Sequence, residues 1–168
     1  RDNIWIGYGS IATDKLNKRT GIFTHYKHNP HDSTSISSNI VNSFYEDSKG
    51  NLWLATEAGG LCHFDYQKEK FSTFTDKHGL PGNNLHSILE DNRNHLWIGT
   101  LNGLSQFDPL TKTFTNYDYK DGLQSNVFAA GKERQRGAHF KGKDGTLYFG
   151  GVNGFNFFDP LQIKADSY

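Results

Sequence analysis

The sequence predicts an all-β fold made of repeated four-stranded blades. Three observations carry that reading. An aromatic residue recurs in one local phrase, at Trp5, Trp53, Trp97 and Tyr148, with spacings of 48, 44 and 51 residues. Each follows a turn and stands between apolar neighbours: Ile4 and Ile6, Leu52 and Leu54, Leu96 and Ile98, Leu147 and Phe149. No stretch shows an apolar stripe of helical period, while short runs rich in β-branched and aromatic residues alternate with Gly, Asn, Asp and Pro. A four-strand phrase repeating at about 45 residues is the blade of a β-propeller.

The elements follow in order. The aromatic phrase forms one strand of each unit. A Gly-containing turn leads to a second, at Leu61–Asp65, Leu104–Asp108 and Phe155–Asp159, with a weaker first copy at Ser10–Asp14. A third strand carries Phe23–Tyr26, Phe71–Phe74 or Phe114–Tyr117, and a further strand at Ile40–Glu46 or Leu85–Glu90 precedes the next aromatic. That makes fourteen strands, read as about three and a half blades of a seven-bladed propeller. An internal blade packs on both faces, so the sequence places Trp5, Trp53, Trp97 and Tyr148 in the packing core with Phe64, Phe107 and Phe157, and Phe23, Phe71 and Phe114 beside them. Asp2, Asp47, Asp91 and Asp144 recur near the turn before the aromatic. They are expected to shape it by side-chain hydrogen bonds to the backbone.

Bulk properties exclude several classes. Eighteen basic and eighteen acidic residues cancel, so no basic field points to nucleic acid. The single Cys62 cannot form an internal disulfide. No apolar run approaches the ~18 residues of a membrane span. The chain contains no Met and opens inside a repeat, which reads as a fragment of a longer protein.

The stretch Leu80-Pro81-Gly82-Asn83-Asn84-Leu85, continuing through Leu96-Trp97-Ile98-Gly99-Thr100 to Phe107-Asp108, resembles the two-component regulator propeller repeat, as does Ser37–Asp65. The segments Asp121–Asn126 and Asp144–Pro160 are similar to that family's last blade. The resemblance implies residues 1–160 as the C-terminal half of a second propeller and 161–168 as the start of a linker to a β-sandwich. It also implies a periplasmic sensor domain of a Bacteroidetes hybrid two-component protein, responding to an oligosaccharide and signalling to a histidine kinase absent from this chain. The ring would be completed by the rest of the parent or by a second copy. One departure stands out: about six extra residues separate Phe128 from the Arg136-Gly137-Ala138 phrase, and repeat insertions map to loops on one face.

Chemistry leaves few marks. His25, His28 and His31 are broken by Asn29-Pro30 and have no cysteine nearby, so no metal site is expected there. Asp65, Asp108 and Asp159 end equivalent strands and read as repetitive, not as the facing pair that glycoside hydrolysis needs. No nucleophile elbow or phosphate loop occurs. The expectation is no catalytic residue, no metal and no cofactor. Ligand contacts are expected at non-repeated loop positions: Lys132, Arg134 and Arg136 in the insertion, with Tyr119 and His78. A structural or protein-interaction segment without a ligand site is the rival reading. A piece of a glycan-active propeller enzyme is the other.

Overall fold

The computed structural model describes residues 2–9, 11–128 and 138–163. Among them lie fourteen strands in four antiparallel sheets. The first sheet holds β1 (Asn3–Gly7), β2 (Thr13–Asn17) and β3 (Phe23–Tyr26). The second holds β4 (Val41–Glu46), β5 (Leu52–Thr56), β6 (Gly60–Asp65) and β7 (Lys70–Phe74). The third holds β8 (Leu85–Glu90), β9 (Leu96–Thr100), β10 (Gly103–Asp108) and β11 (Thr113–Tyr117). The fourth holds β12 (His139–Lys141), β13 (Leu147–Gly151) and β14 (Gly154–Phe158). Every sheet is a meander in chain order. Sheets approach one another chiefly through β4, β8 and β12, the leading strands of the second, third and fourth sheets.

Period-two alternation explains the aromatic phrase. On β1, β5 and β9 the tryptophan enters the core shared with the next sheet; on β5 and β9 its apolar neighbours enter the core shared with the preceding one. Trp53 lies with Leu85, Ile88 and Phe107, whereas Leu52 and Leu54 lie with Ile36, Val41 and Phe64. The contact repeats at every junction. Trp5 meets Phe64 at 4.8 Å, Trp53 meets Phe107 at 5.5 Å and Trp97 meets Phe158 at 4.7 Å between ring centroids. Each tryptophan therefore hooks onto a phenylalanine of the following sheet, and three cores separate four sheets.

Three expectations change here. The first unit's second strand is Thr13–Asn17, not Ser10–Asp14. Its end is set by Asn17, whose Oδ1 accepts from the Arg19 and Thr20 amides as Asp65 accepts from Gln67 and Lys68. Phe157 is not a core residue. It is 64% exposed, stacked on Tyr148 on the open face of the fourth sheet. Phe158 pairs with Leu147 as Phe107 pairs with Leu96 and Phe64 with Leu52, so the core position is one residue later. Phe23, 45% exposed, faces outward from the first sheet beside Leu16 and Ile4. Trp5 and Tyr148 are half-buried; Trp53, Trp97, Phe64, Phe107 and Phe71 are buried.

The turn before the tryptophan is tied by one carboxylate. Asp47 accepts from the Lys49 and Asn51 amides and from Trp53 Nε1 at 2.9 Å. Asp91 does the same for Arg93, His95 and Trp97 Nε1, the last at 3.0 Å. The spacing of six from carboxylate to indole fixes turn and ring together. In the last unit that place is Gly142, whose amide still bonds Thr146 O, and Asp144 holds the turn through Thr146. Asp2 sits three residues before Trp5 and contributes its carbonyl, to the Lys18 amide. Trp5 Nε1 donates instead to Tyr66 Oη.

Burial pushes the Asp47 carboxyl up, but hydrogen bonds from Trp53, Asn51 and Lys49 outweigh it and hold the group below its ordinary range. Burial holds the His63 imidazole below its ordinary value against the pull of Asp47, and does likewise to His86. For all three, the unfolded chain takes up the proton first. Their contribution is therefore complete above the unfolded value and is lost as pH falls. Urea unfolding should show stability falling below about pH 6.5 as the histidines charge, and further below about pH 4 as Asp47 protonates. A flat profile from neutral pH to about 4 would contradict the histidine part, since their unfolded values lie near 6.5.

Candidate ligand-binding rim

Segments 27–40 and 75–84 carry the chain from the last strand of one sheet to the next, and 118–128 is the described stretch that follows the last strand of the third sheet. Each places an apolar plug, Ile36, Leu80 or Leu123, against the following core. Each then uses an asparagine as a latch. Asn39, Asn83 and Asn126 accept through Oδ1 from the amides of His28, Asp76 and Tyr119, all at 2.8 Å. Backbone bonds from Gly60 to Asn83 O and from Gly103 to Asn126 O tie the segments to the turns β5–β6 and β9–β10. The result is a rim of loops along one end of the sheets.

Two of the segments contain a short 3-10 helix, Asp76–His78 and Tyr119–Asp121, each ended by a left-handed glycine, Gly79 or Gly122. His78 Nδ1 accepts from the Thr75 amide at 3.0 Å; in the next segment Asp121 accepts from the Asp118 amide at 2.7 Å. His78 is thus a cap at a repeated position. Tyr119 occupies the place of Asp76, is 60% exposed, and has Lys120 Nζ 5.9 Å from its ring centre. The rim therefore brings His78 and Tyr119 to equivalent tips of neighbouring loops. Lys132, Arg134 and Arg136 lie outside the described residues.

A second polar cluster sits on the open face of the first sheet. Asp14 is buried, its Oδ1 2.7 Å from His25 Nδ1, in a hollow lined also by Tyr8, Ile11 and Lys27. Sequence reasoning did not single out Asp14. The signal was available: polar pairs eleven residues apart recur across the same two strands, as Cys62 with Thr73 and Ser105 with Asn116.

The strand-ending carboxylates are used locally. Asp65, Asp108 and Asp159 each accept amide bonds from the hairpin that follows. Among the described residues, no group of three or more His, Cys, Asp or Glu is placed to hold a metal ion. The described rim presents hydrogen-bonding groups, charged side chains at Asp76, Lys120 and Asp121, and the exposed ring of Tyr119.

Comparison with known proteins agrees with this architecture. Residues 35–58 and 79–102 match the family described as two component regulator propeller. The chain is 36% identical over 213 aligned residues to the histidine kinase P4 of Formosa agariphila, covering 98% of this chain but 15% of that protein. It superposes on the extracellular domain of the hybrid two component system BT4673 of B. thetaiotaomicron with a TM-score of 0.73 and 23% identity, over 95% of this chain and 22% of that one. It also superposes on PorZ, a surface component of the type-IX secretion system of Porphyromonas gingivalis, with a TM-score of 0.63 and 15% identity, over 94% of this chain and 24% of that one. The chain thus spans a small part of the length of each. Residues 35–58 and 79–102 are therefore two matches to the two component regulator propeller repeat, in a chain that is similar to part of a histidine kinase and shares its fold with part of the extracellular domain of a hybrid two component system.

Proposed function

We propose that this chain is part of a periplasmic propeller sensor that responds to an oligosaccharide and passes the signal to a histidine kinase outside these residues. The sensor segment is not itself the enzyme. The observation that carries the ligand reading is the rim: the second and third segments share the asparagine latch and the glycine end, while the side chains at their tips change, Asp76 to Tyr119 and His78 to Asp121. A fixed frame with variable tips is how one scaffold comes to recognise different ligands. Tyr119 supplies the ring face; Lys132, Arg134 and Arg136, outside the described residues, follow it in the sequence and are proposed as further contacts.

The rest of the ring comes from the same polypeptide in this proposal. The described residues form four sheets, two of them three-stranded; in this proposal each counts as one blade, four in all. Two copies would bring twice as many, more than a seven-bladed ring holds. The segment 161–168 then leads toward the following domain.

Calorimetric titration of the parent extracellular domain with a panel of oligosaccharides tests the reading. Saturable binding by one class, weakened at least tenfold by Tyr119→Ala with unchanged melting, is expected. The likeness to PorZ favours a second reading, a protein-interaction surface. Absence of any sugar binding, with a protein held on the same rim, would establish that alternative.

A further inference from the structure

The first two junctions between sheets share one register but differ in charge. The residue paired with the tryptophan on the neighbouring strand is Lys15 at the first and His63 at the second. The following sheet answers from its outer hairpin, with the residue four places after the strand-ending Asp65 or Asp108. That residue is Glu69 or Lys112, both at positive φ, 53° and 61°. At the first junction the two form an ion pair, Lys15 with Glu69, and the ammonium lies 5.5 Å from the centre of the Phe64 ring. Tyr66, from the same hairpin, accepts from Trp5 Nε1 at 3.2 Å. At the second junction Pro109 stands where Tyr66 stands, and a cavity of about 220 Å³ lies between Trp53 and Phe74. His63, Asn51, Ser72 and Lys112 also line it, and among the described residues no carboxylate does.

We infer that the cavity at the second junction binds a small carboxylate ligand, in the place that Glu69 fills at the first. Two bases face one cavity there, where the first junction sets a base against an acid. The nearby carboxylates are already committed. Asp47 accepts from Trp53 Nε1 and the Lys49 and Asn51 amides, and Asp65 accepts from the Gln67 and Lys68 amides and lies 3.3 Å from Lys68 Nζ. The His63 ring lies against the Trp53 indole, 4.6 Å between centres, which fixes its place in the wall. A carboxylate in the cavity accepts from the His63 imidazolium, the Lys112 ammonium and the exposed Ser72 hydroxyl, and charge-assisted bonds of this kind are the stronger ones. The site is separate from the Tyr119 rim and does not rest on the oligosaccharide reading.

The test follows the imidazole and indole resonances of the 168-residue chain by NMR. Propionate, the fragment of a glutamate side chain, is the probe, and propionamide is its neutral control. Propionate should shift the His63 and Trp53 signals saturably in the millimolar range, and propionamide should not. Binding should be at least threefold tighter at about pH 6 than at about pH 8, where the carboxylate is ionised throughout. Burial and Lys112 keep the unliganded imidazole neutral at the higher pH, while Asp47 and Asp65 pull the other way. Two variants borrow residues the chain already uses at equivalent positions, Glu69 and Gln106, so neither asks the frame for a new geometry. Lys112→Glu should abolish binding and make His63 titrate at a higher pH. His63→Gln should weaken binding at least threefold and remove its pH dependence. No saturable shift, an equal response to propionamide, or binding unchanged in both variants would overturn the inference. Sulfate binding as tightly as propionate at equal ionic strength would overturn the assignment to a carboxylate.

Discussion

Trp97→Ala lowers the stability of the chain by about 3–5 kcal/mol in urea unfolding. The residue is 1% exposed. Its ring stacks on Tyr117 at 5.4 Å and meets Phe158 at 4.7 Å, and its indole N–H donates to Asp91. Truncation opens a cavity at the third junction and leaves a buried carboxylate short of one donor. A fully stable variant that had lost a ligand would instead make Trp97 a binding residue. Trp97→Phe should cost less, because it keeps the ring in the core and loses only the indole bond.

Gly103→Ala costs about 3 kcal/mol or more, from two causes that act together. The residue has φ of +106°, where a side chain is strained. A Cβ there would lie 2.2 Å from Tyr117 O, a backbone atom of the paired strand that has no free end to swing away. The same site accepts from Thr100 Oγ1 and donates its amide to Asn126 O, so displacing it also loosens the crossover that carries Tyr119. Chemical denaturation measures the loss. Gly122→Ala is the control: φ is +94° but no atom lies within 4 Å of the new Cβ, and the cost should be near the strain alone, about 1–2 kcal/mol. Equal costs at the two sites would remove the collision from the explanation.

The repeat was legible because its signal is redundant. Trp53 and Trp97 share a turn, flanking aliphatics and a carboxylate six residues earlier, so any one of these locates the strand. The first and last units lose part of that redundancy. At Leu16-Asn17 the Phe-Asp ending is replaced, and the repeat pattern puts the second strand three residues early. At Phe157-Phe158 two phenylalanines stand side by side, and composition cannot say which face each takes; the register with Leu147 decides. His78 read as a loop residue free for ligand, because a cap formed by Nδ1 at the third position of a single turn has no strong sequence mark. Phe23 reads as core because its repeat counterparts Phe71 and Phe114 pack between sheets, whereas Phe157 stands at the register of His63 and Gln106. Both lie on the outward faces of the first and fourth sheets, which no neighbouring sheet covers among the described residues.

Sheets locked in series, each tryptophan on the next sheet's phenylalanine, are what make this chain one array that can carry a rim of loops. A double-mutant cycle on Trp97→Leu and Phe158→Leu measures that lock directly. The expected coupling is about 1 kcal/mol for the facing rings, with a similar value for Trp53 and Phe107. Trp97 with Phe64, which face different junctions, should be additive within about 0.5 kcal/mol. Coupling near zero for Trp97 with Phe158, or equal for the facing and non-facing pairs, would contradict the interlock on which the fold and the rim both depend.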